Sequence, residues 1–392
     1  MAGLADAANA DVVLRVQQER AKPDPATFLG KGKVEMLAAA AAEARVDVVI
    51  FDNELSPAQL RNLEDALERR VIDRTQLILD IFARRARTRE GKLQVELAQL
   101  KYLMPRLVGS ADALSRQGGG IGALGPGETK LETDRRRIRH RVSILSKEIE
   151  TVRRRRSQLR ERRHKSSVPT VALVGYTNAG KTTLFNSLTG DRAVASNALF
   201  VTLDPLVRRV KLPDRRELLV SDTVGFIDRL PHSLVAAFRA TLEEVAEADL
   251  LLHVIDASAA DRERQITAVH AVLEEVGAER VPAIEVFNKC DRLDAGERAR
   301  IAALYPTALC VSALNGDGRD EAIAAMETKL ALDTATVTFS FDPHDAADRQ
   351  RISDLYRFGR ILRHTATDDS VIVEAELPRR MLERFAREET GA

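Results

Sequence analysis

The stretch VALVGYTNAGKTTL (171–184) reads as an apolar strand, a tight glycine turn and the opening of a helix. Within it, Gly175 to Thr182 fits the phosphate-loop pattern G-x-x-x-x-G-K-[ST], in the strand-to-helix context that the pattern requires. Gly175 and Gly180 let the backbone curl so that N–H groups of Tyr176, Thr177, Asn178 and Ala179 face phosphate oxygens. The helix starting near Lys181 adds its positive end to that cradle. Lys181 is placed to reach the β- and γ-phosphates, the Thr182 hydroxyl to bind Mg2+, and Thr183 to continue the helix.

Working downstream, LLVSDTVGF (218–226) is a strand ending in D-x-x-G. Asp222 is expected to hold Mg2+ through water, with Thr223 and Val224 leading to Gly225, whose N–H can sense a γ-phosphate. IEVFNKCD (284–291) is a strand ending in N-K-x-D. Asp291 would accept hydrogen bonds from guanine N1 and N2, Asn288 would brace the pocket, the Lys289 stem would cover the base, and Cys290 lies between. Adenine lacks that donor pair and would leave a buried carboxylate unpaired, at roughly 1–3 kcal/mol. LCVSAL (309–314) ends a further strand, with Ser312, Ala313 and Leu314 closing over the base edge. Four motifs in this order, each at a strand's C-terminal end, point to GTP and GDP.

Between Thr182 and Asp222 lies NALFVTLDP (197–205). A threonine here is expected to coordinate Mg2+, and Thr202 is the choice, flanked by Phe200, Val201, Leu203 and Asp204. Thr189 and Thr183 compete, with helix capping or packing as their alternative. Residues 206–220 read as a hairpin turning at Pro213-Asp214. After D-x-x-G a water-orienting glutamine is usual in Ras-type enzymes. Here the residue is Phe226, which offers no hydrogen bond, so slow unassisted turnover and stimulation by a partner are expected. Asn178 can help hold a monovalent cation such as K+ beside the phosphates, or simply cap the loop.

Upstream, residues 11–83 read as a small α/β unit, with strands at VVLRV (12–16) and VDVVIF (46–51). Helices are expected at about Lys33 to Ala44, from Ser56-Pro57 towards Leu67, and from Gln76 to Ala86. Leu93, Leu97, Leu100, Met104 and Leu107 then recur at heptad spacing, as do Ile138, Val142, Leu145, Ile149 and Val152. Two narrow apolar stripes are best buried against each other, as an antiparallel hairpin. Its second helix, from about Glu132 to His164, would run on the order of 50 Å at 1.5 Å per residue. A glycine-rich loop (116–130) sits at the tip, as a plain linker or as a recognition element. The tail reads strand (VTFSF), helix (Ala346 to Leu362), strand (VIVEAEL), helix (Pro378 to Ala386).

The chain has 392 residues, 44% hydrophobic and 30% charged, as expected of an ordinary globular protein. No signal-peptide pattern opens it and no apolar run could span a bilayer, so a cytoplasmic location is expected. Cys290 and Cys310 cannot form a disulfide framework, and none of the histidines falls in a metal or triad spacing. Absent tryptophan and 4% aromatics argue against a base-stacking RNA platform. The net charge is +1, yet residues 135–165 hold fourteen Arg or Lys against three Glu, a local +11. That segment is either an RNA-facing surface or a solvated arginine face.

GKGKVEML (30–37), VIFDNELSPAQLRNLE (49–64), the 71–107 stretch, SRQGGGIGALGPGETKLETDRR (115–136) and the GYTNAGKTTLFN, FVTLDP and DTVGF motifs together resemble the HflX family of GTPases. The resemblance implies an α/β protein whose P-loop GTPase domain (168–332) follows an N-terminal α/β domain (1–87) and a long antiparallel helical hairpin (88–165, tip loop about 109–131). A small α+β C-terminal domain (333–392) ends it. It also implies a monomer, partly ribosome-associated, that binds the large (50S) ribosomal subunit through rRNA and couples GTP hydrolysis to ribosome dissociation. The alternatives left open are a switch for a protein partner and an NTP-driven RNA remodeller using the N-terminal domain.

Overall fold

The computed structural model of the chain describes residues 1–107, 126–166, 168–191, 193, 199–200, 202–212, 217–228, 242, 244–331, 334–367, 370–378 and 382–385. They fall into two compact units, each considered by itself. The first comprises Met1–Arg155, Val194–Pro205 and Val224–Leu242; the second comprises Arg156–Ala193, Leu206–Thr223 and Glu243–Ala392. Two segments read as part of the nucleotide domain, 194–205 and 224–242, thus group with the N-terminal residues.

In the first unit, strands β1 (Val48–Phe51) and β2 (Arg70–Asp73) pair in parallel, as their crossover through helix Pro57–Leu67 requires. Ser56 caps that helix in a full capping box with Gln59, and Pro57 supplies a preset φ at its first turn. Val34 and Leu37 of helix Lys31–Glu43 close the core over Phe51, Leu55, Leu63, Leu67 and Val71. Asp73, fully buried at the end of β2, caps helix Arg74–Arg85 through Gln76 N and also takes an ion pair from Arg106 at 3.1 Å. The expected strand at 12–16 does not form. Val12, Val13, Leu14 and Val16 are all exposed, and without a ladder partner β-branched composition alone cannot hold a strand.

The helical hairpin is present as helices Arg89–Arg106 and Pro126–Ser166. Leu93, Leu97 and Leu145 pack together with Leu100, Val142 and Ile149. Arg89 pairs with Glu148 and Glu96 with Arg141, which makes the helices antiparallel. The second helix begins at Pro126, so the last part of the expected tip loop is helical; 108–125 lie outside the described residues. Proline is well suited to a first helical turn, where its missing N–H costs nothing.

The second unit holds a six-stranded sheet in the order β4-β5-β3-β6-β7-β8. Its strands are β3 (Thr170–Gly175), β4 (Leu206–Lys211), β5 (Glu217–Asp222), β6 (Leu250–Asp256), β7 (Ala283–Asn288) and β8 (Leu309–Cys310). Only the β4–β5 pair is antiparallel; the expected turn at Pro213-Asp214 lies outside the described residues. β3 and β6 are buried almost throughout, as strands covered on both faces must be. Beyond it, β9 (Thr334–Phe341), β10 (Arg360–Ala366) and β11 (Val371–Pro378) form an antiparallel sheet, order β10-β11-β9, around Phe341, Leu355, Val373, Ala375 and Leu377. The tail departs from expectation at its first helix. Helix Ala346–Phe358 stops at Gly359 rather than Leu362, because the chain turns into β10. β10 is exposed along nearly its whole length, so RILRHTA shows none of the apolar alternation that announces a strand. Pro378 closes β11, and the final helix described is only Leu382–Phe385.

Candidate active site

The C-terminal ends of β3, β5, β7 and the β8 turn bring the motif residues of the second unit together. Gly175 has φ +152°, and a Cβ there would lie 2.2 Å from the Val254 carbonyl oxygen. Gly180 has φ +94°, and its Cβ would meet Asn288 Nδ2 at 2.2 Å. Both glycines are therefore demanded by close approach as well as by conformation. Between them Asn178 turns the loop with φ +62° and stays exposed, Thr177 and Ala179 are buried, and Tyr176 is half-buried.

Lys181 opens helix Lys181–Thr189 and is 6% exposed. Its ammonium donates to the carbonyls of Gly175 (3.2 Å) and Tyr176 (2.9 Å). Burial pushes its pKa down to about 8, with Asp222 opposing and Lys289 assisting that shift. The Thr182 hydroxyl donates to Asp222 Oδ2 at 2.8 Å, so an alcohol and a carboxylate meet at the loop's helix end. Asp222 is fully buried, and the next residue, Thr223, donates to Leu173 O at 2.6 Å, tying the end of β5 to β3. Thr183 is half-buried on the same helix, and Thr189 donates to Phe185 O, a helix-internal bond that takes it out of the competition for a metal role.

On the far side of the loop, Asn288 donates to Ala179 O (2.9 Å) and accepts from Ala313 N (3.0 Å). One buried amide thus links the phosphate loop, β7 and the β8 turn. Lys289, at φ +65°, donates to Asn178 O (2.8 Å) and pairs with Asp256 Oδ2 (2.7 Å). Sequence reasoning missed Asp256; its signal was the acid ending the apolar run LLLHVID. Asp291 Oδ1 accepts from Ser312 Oγ at 2.7 Å, which orients the carboxylate. Cys290 is buried, and desolvation beside Cys310 pushes its thiol up to about 12, so it is inert packing. Ala313 is buried and Leu314 is 78% exposed.

The remaining candidates belong to the first unit. Thr202 is half-buried there, and Val224, Gly225 and Phe226 are buried. Val201 lies outside the described residues. The structure engages three expected nucleotide neighbours with the N-terminal residues: the Phe200 ring stands edge-on to Phe82 at 4.7 Å, and Leu203 is buried. The Asp204 carboxylate accepts from the backbone N–H of Arg87 and Thr88 (2.9 Å each) and from the Thr88 hydroxyl. These side chains serve packing and capping, which a motif cannot reveal.

Three family models cover most of the chain: GTP-binding GTPase N-terminal over residues 1–83, GTP-binding GTPase Middle Region over 85–163, and 50S ribosome-binding GTPase over 170–289. A protein of Caldanaerobacter subterraneus subsp. tengcongensis named GTPase HflX is 46% identical over 97% of this chain and 87% of its own length. One of the same name from Escherichia coli strain K12 is 46% identical over 96% of this chain and 88% of its length. Among solved structures, a GTP-binding protein of Sulfolobus solfataricus in complex with GDP matches with a TM-score of 0.44 at 24% identity, over 84% of this chain and 93% of that one.

Proposed function

This chain belongs to the HflX family of GTPases, and we propose that it binds the large ribosomal subunit in its GTP form, splits stalled or inactive ribosomes, and leaves after hydrolysis. The observation that carries the nucleotide half of this reading is the single buried amide, Asn288, braced between the phosphate loop and the turn that orients Asp291. In this reading Asp291 selects guanine, and the Gly175–Gly180 turn and Lys181 hold the phosphates. Lys181 exchanges its two carbonyl partners for phosphate oxygens.

The Thr182 hydroxyl and the Asp222 carboxylate are a hard-oxygen pair suited to Mg2+, with Thr202 as a third candidate. When bound, the ion neutralises charge on the β- and γ-phosphates. Gly225 reports the γ-phosphate through its N–H. Phe226 is 1% exposed and has no group to orient water, so hydrolysis waits for a partner. Asn178 is exposed within the loop, placed to hold K+ beside the phosphates.

The ribosomal half rests on the family description and on the basic helix of the hairpin, where Arg136, Arg137, Arg139, Arg141, Lys147, Arg153 and Arg154 are exposed. No helix among the described residues is long and apolar enough to cross a membrane. The deciding experiment is GTP turnover with and without 50S subunits, in potassium and in sodium buffers. Strong stimulation by subunits is expected, and an unchanged rate rejects the reading. Turnover that is low in sodium and raised by potassium in the parent, but not raised by potassium in Asn178→Ala, assigns the cation to Asn178.

A further inference from the structure

β6 presents two faces. Leu250, Leu252 and Val254 enter the core beneath helix Lys181–Thr189, so Leu251, His253 and Ile255 point to the other side of the sheet. The β6–β7 register sets Glu285 directly beside His253. Helix Arg262–Glu275 lies over that face and carries His270, whose ring centroid is 5.4 Å from that of His253. The ligating atoms of His253, His270 and Glu285 all lie within 4.8 Å of one another. His253 is only 3% exposed, His270 is exposed and Glu285 is half-buried. An imidazole buried between Leu251 and Ile255 on one strand face is costly unless a polar group meets it, and a bound cation would do so. Burial, with His270 and Lys181 nearby, pushes the His253 pKa down.

We propose that His253, His270 and Glu285 form a binding site for a divalent transition-metal ion of the zinc class. Two imidazoles and a carboxylate are the donor set such borderline cations take, and three protein ligands leave a fourth position open. Mg2+ is not expected here, because it favours octahedral oxygen coordination. Zinc-bound nitrogen and oxygen atoms lie about 3.3 Å apart at bond lengths of about 2.0–2.2 Å. The ligands must therefore close in, and the exposed His270 is free to swing towards the buried His253. The half-buried Glu285 supplies the negative charge. The ion would bridge the strands that continue into Asp256 and into Asn288–Asp291, without sharing a ligand with the nucleotide site.

The test uses the untagged full-length chain, metal-stripped, titrated with Co2+ alone and followed by visible absorption, then with Zn2+ in calorimetry. The expected result is one equivalent of Co2+ with the intense bands of tetrahedral coordination, displaced by Zn2+. His270→Ala and Glu285→Gln should each weaken Zn2+ binding roughly tenfold or more. Both replaced residues are at least partly exposed, and circular dichroism of the metal-free variants checks that they fold. Folded variants that keep the parent affinity, or a parent chain that shows no tetrahedral cobalt spectrum, would overturn the proposal.

Discussion

At Lys181 a deeply buried ammonium rests on two carbonyls with its pKa brought down to about 8. A lysine lowered in the folded state releases its proton before the unfolded chain does. Between pH 8 and the ordinary 10.5 the unfolded chain therefore binds more protons, and this group favours folding more as pH rises through that window. In its proposed role Lys181 meets phosphates that favour the charged form, so GTP binding above about pH 8 is expected to take up a proton. Calorimetry in buffers of different ionisation enthalpy should show that uptake at about pH 9 and none of it at about pH 6.5. At Asp291 the expectation is different: Asp291→Asn keeps the Ser312 contact but loses the charge-assisted acceptance from guanine that its proposed role requires. GTP affinity should fall roughly 10–100-fold, corresponding to about 1.5–3 kcal/mol, as measured by fluorescent-nucleotide displacement.

Among the elements, helix Arg89–Arg106 has an unusual start. Thr88 caps it in the ordinary way, accepting from Gly91 N at 3.0 Å, while Asp204, remote in sequence, accepts from the N–H groups of Arg87 and Thr88. A Cβ on residue 91 would sit 2.3 Å from Asp204 Oδ1, so glycine makes room for that carboxylate. A negative charge at a helix N-terminus is favourable, and here it also ties the FVTLDP segment to the hairpin. Asp204→Ala should lower stability by about 1–3 kcal/mol, and Asp204→Asn by less, since one acceptor remains. Thermal unfolding of the nucleotide-free protein checks both. If Asp204→Ala melts as the parent does, the carboxylate adds nothing to this junction.

Across the whole molecule, charge is distributed unevenly. Many arginines of the long helix pair with acids close by: Arg137 with Asp134, Arg139 with Glu132, Arg154 with Glu150, and Arg141 with Glu96 across the hairpin. Exposed pairs of this kind contribute little to stability and exchange readily for phosphate. Cosedimentation with 50S subunits should therefore weaken steeply with salt. Replacing Arg136 and Arg137 by alanine should flatten the log–log slope by roughly one unit for each phosphate that the variant no longer neutralises. A slope unchanged in that variant would place the electrostatic attachment elsewhere.

The gathering of the candidate site was legible because its motifs are local: glycine, lysine and threonine in one loop, D-x-x-G and N-K-x-D each within a single turn. The heptad stripes announced the hairpin for the same reason, since a helix repeats its face every few residues. Two strands went astray, 12–16 and Arg360–Ala366, because strand formation depends on a partner ladder that composition does not encode. Only the tertiary structure could assign Phe200 to Phe82 and Asp204 to Thr88, or Asp256 to Lys289. The histidines show no metal spacing along the chain because their grouping comes from two parallel strands and a covering helix, which bring positions 253, 270 and 285 together. Contacts within one turn are written in residue order, whereas contacts between elements exist only once the sheet's register and the helix's face have been set by burial of the core.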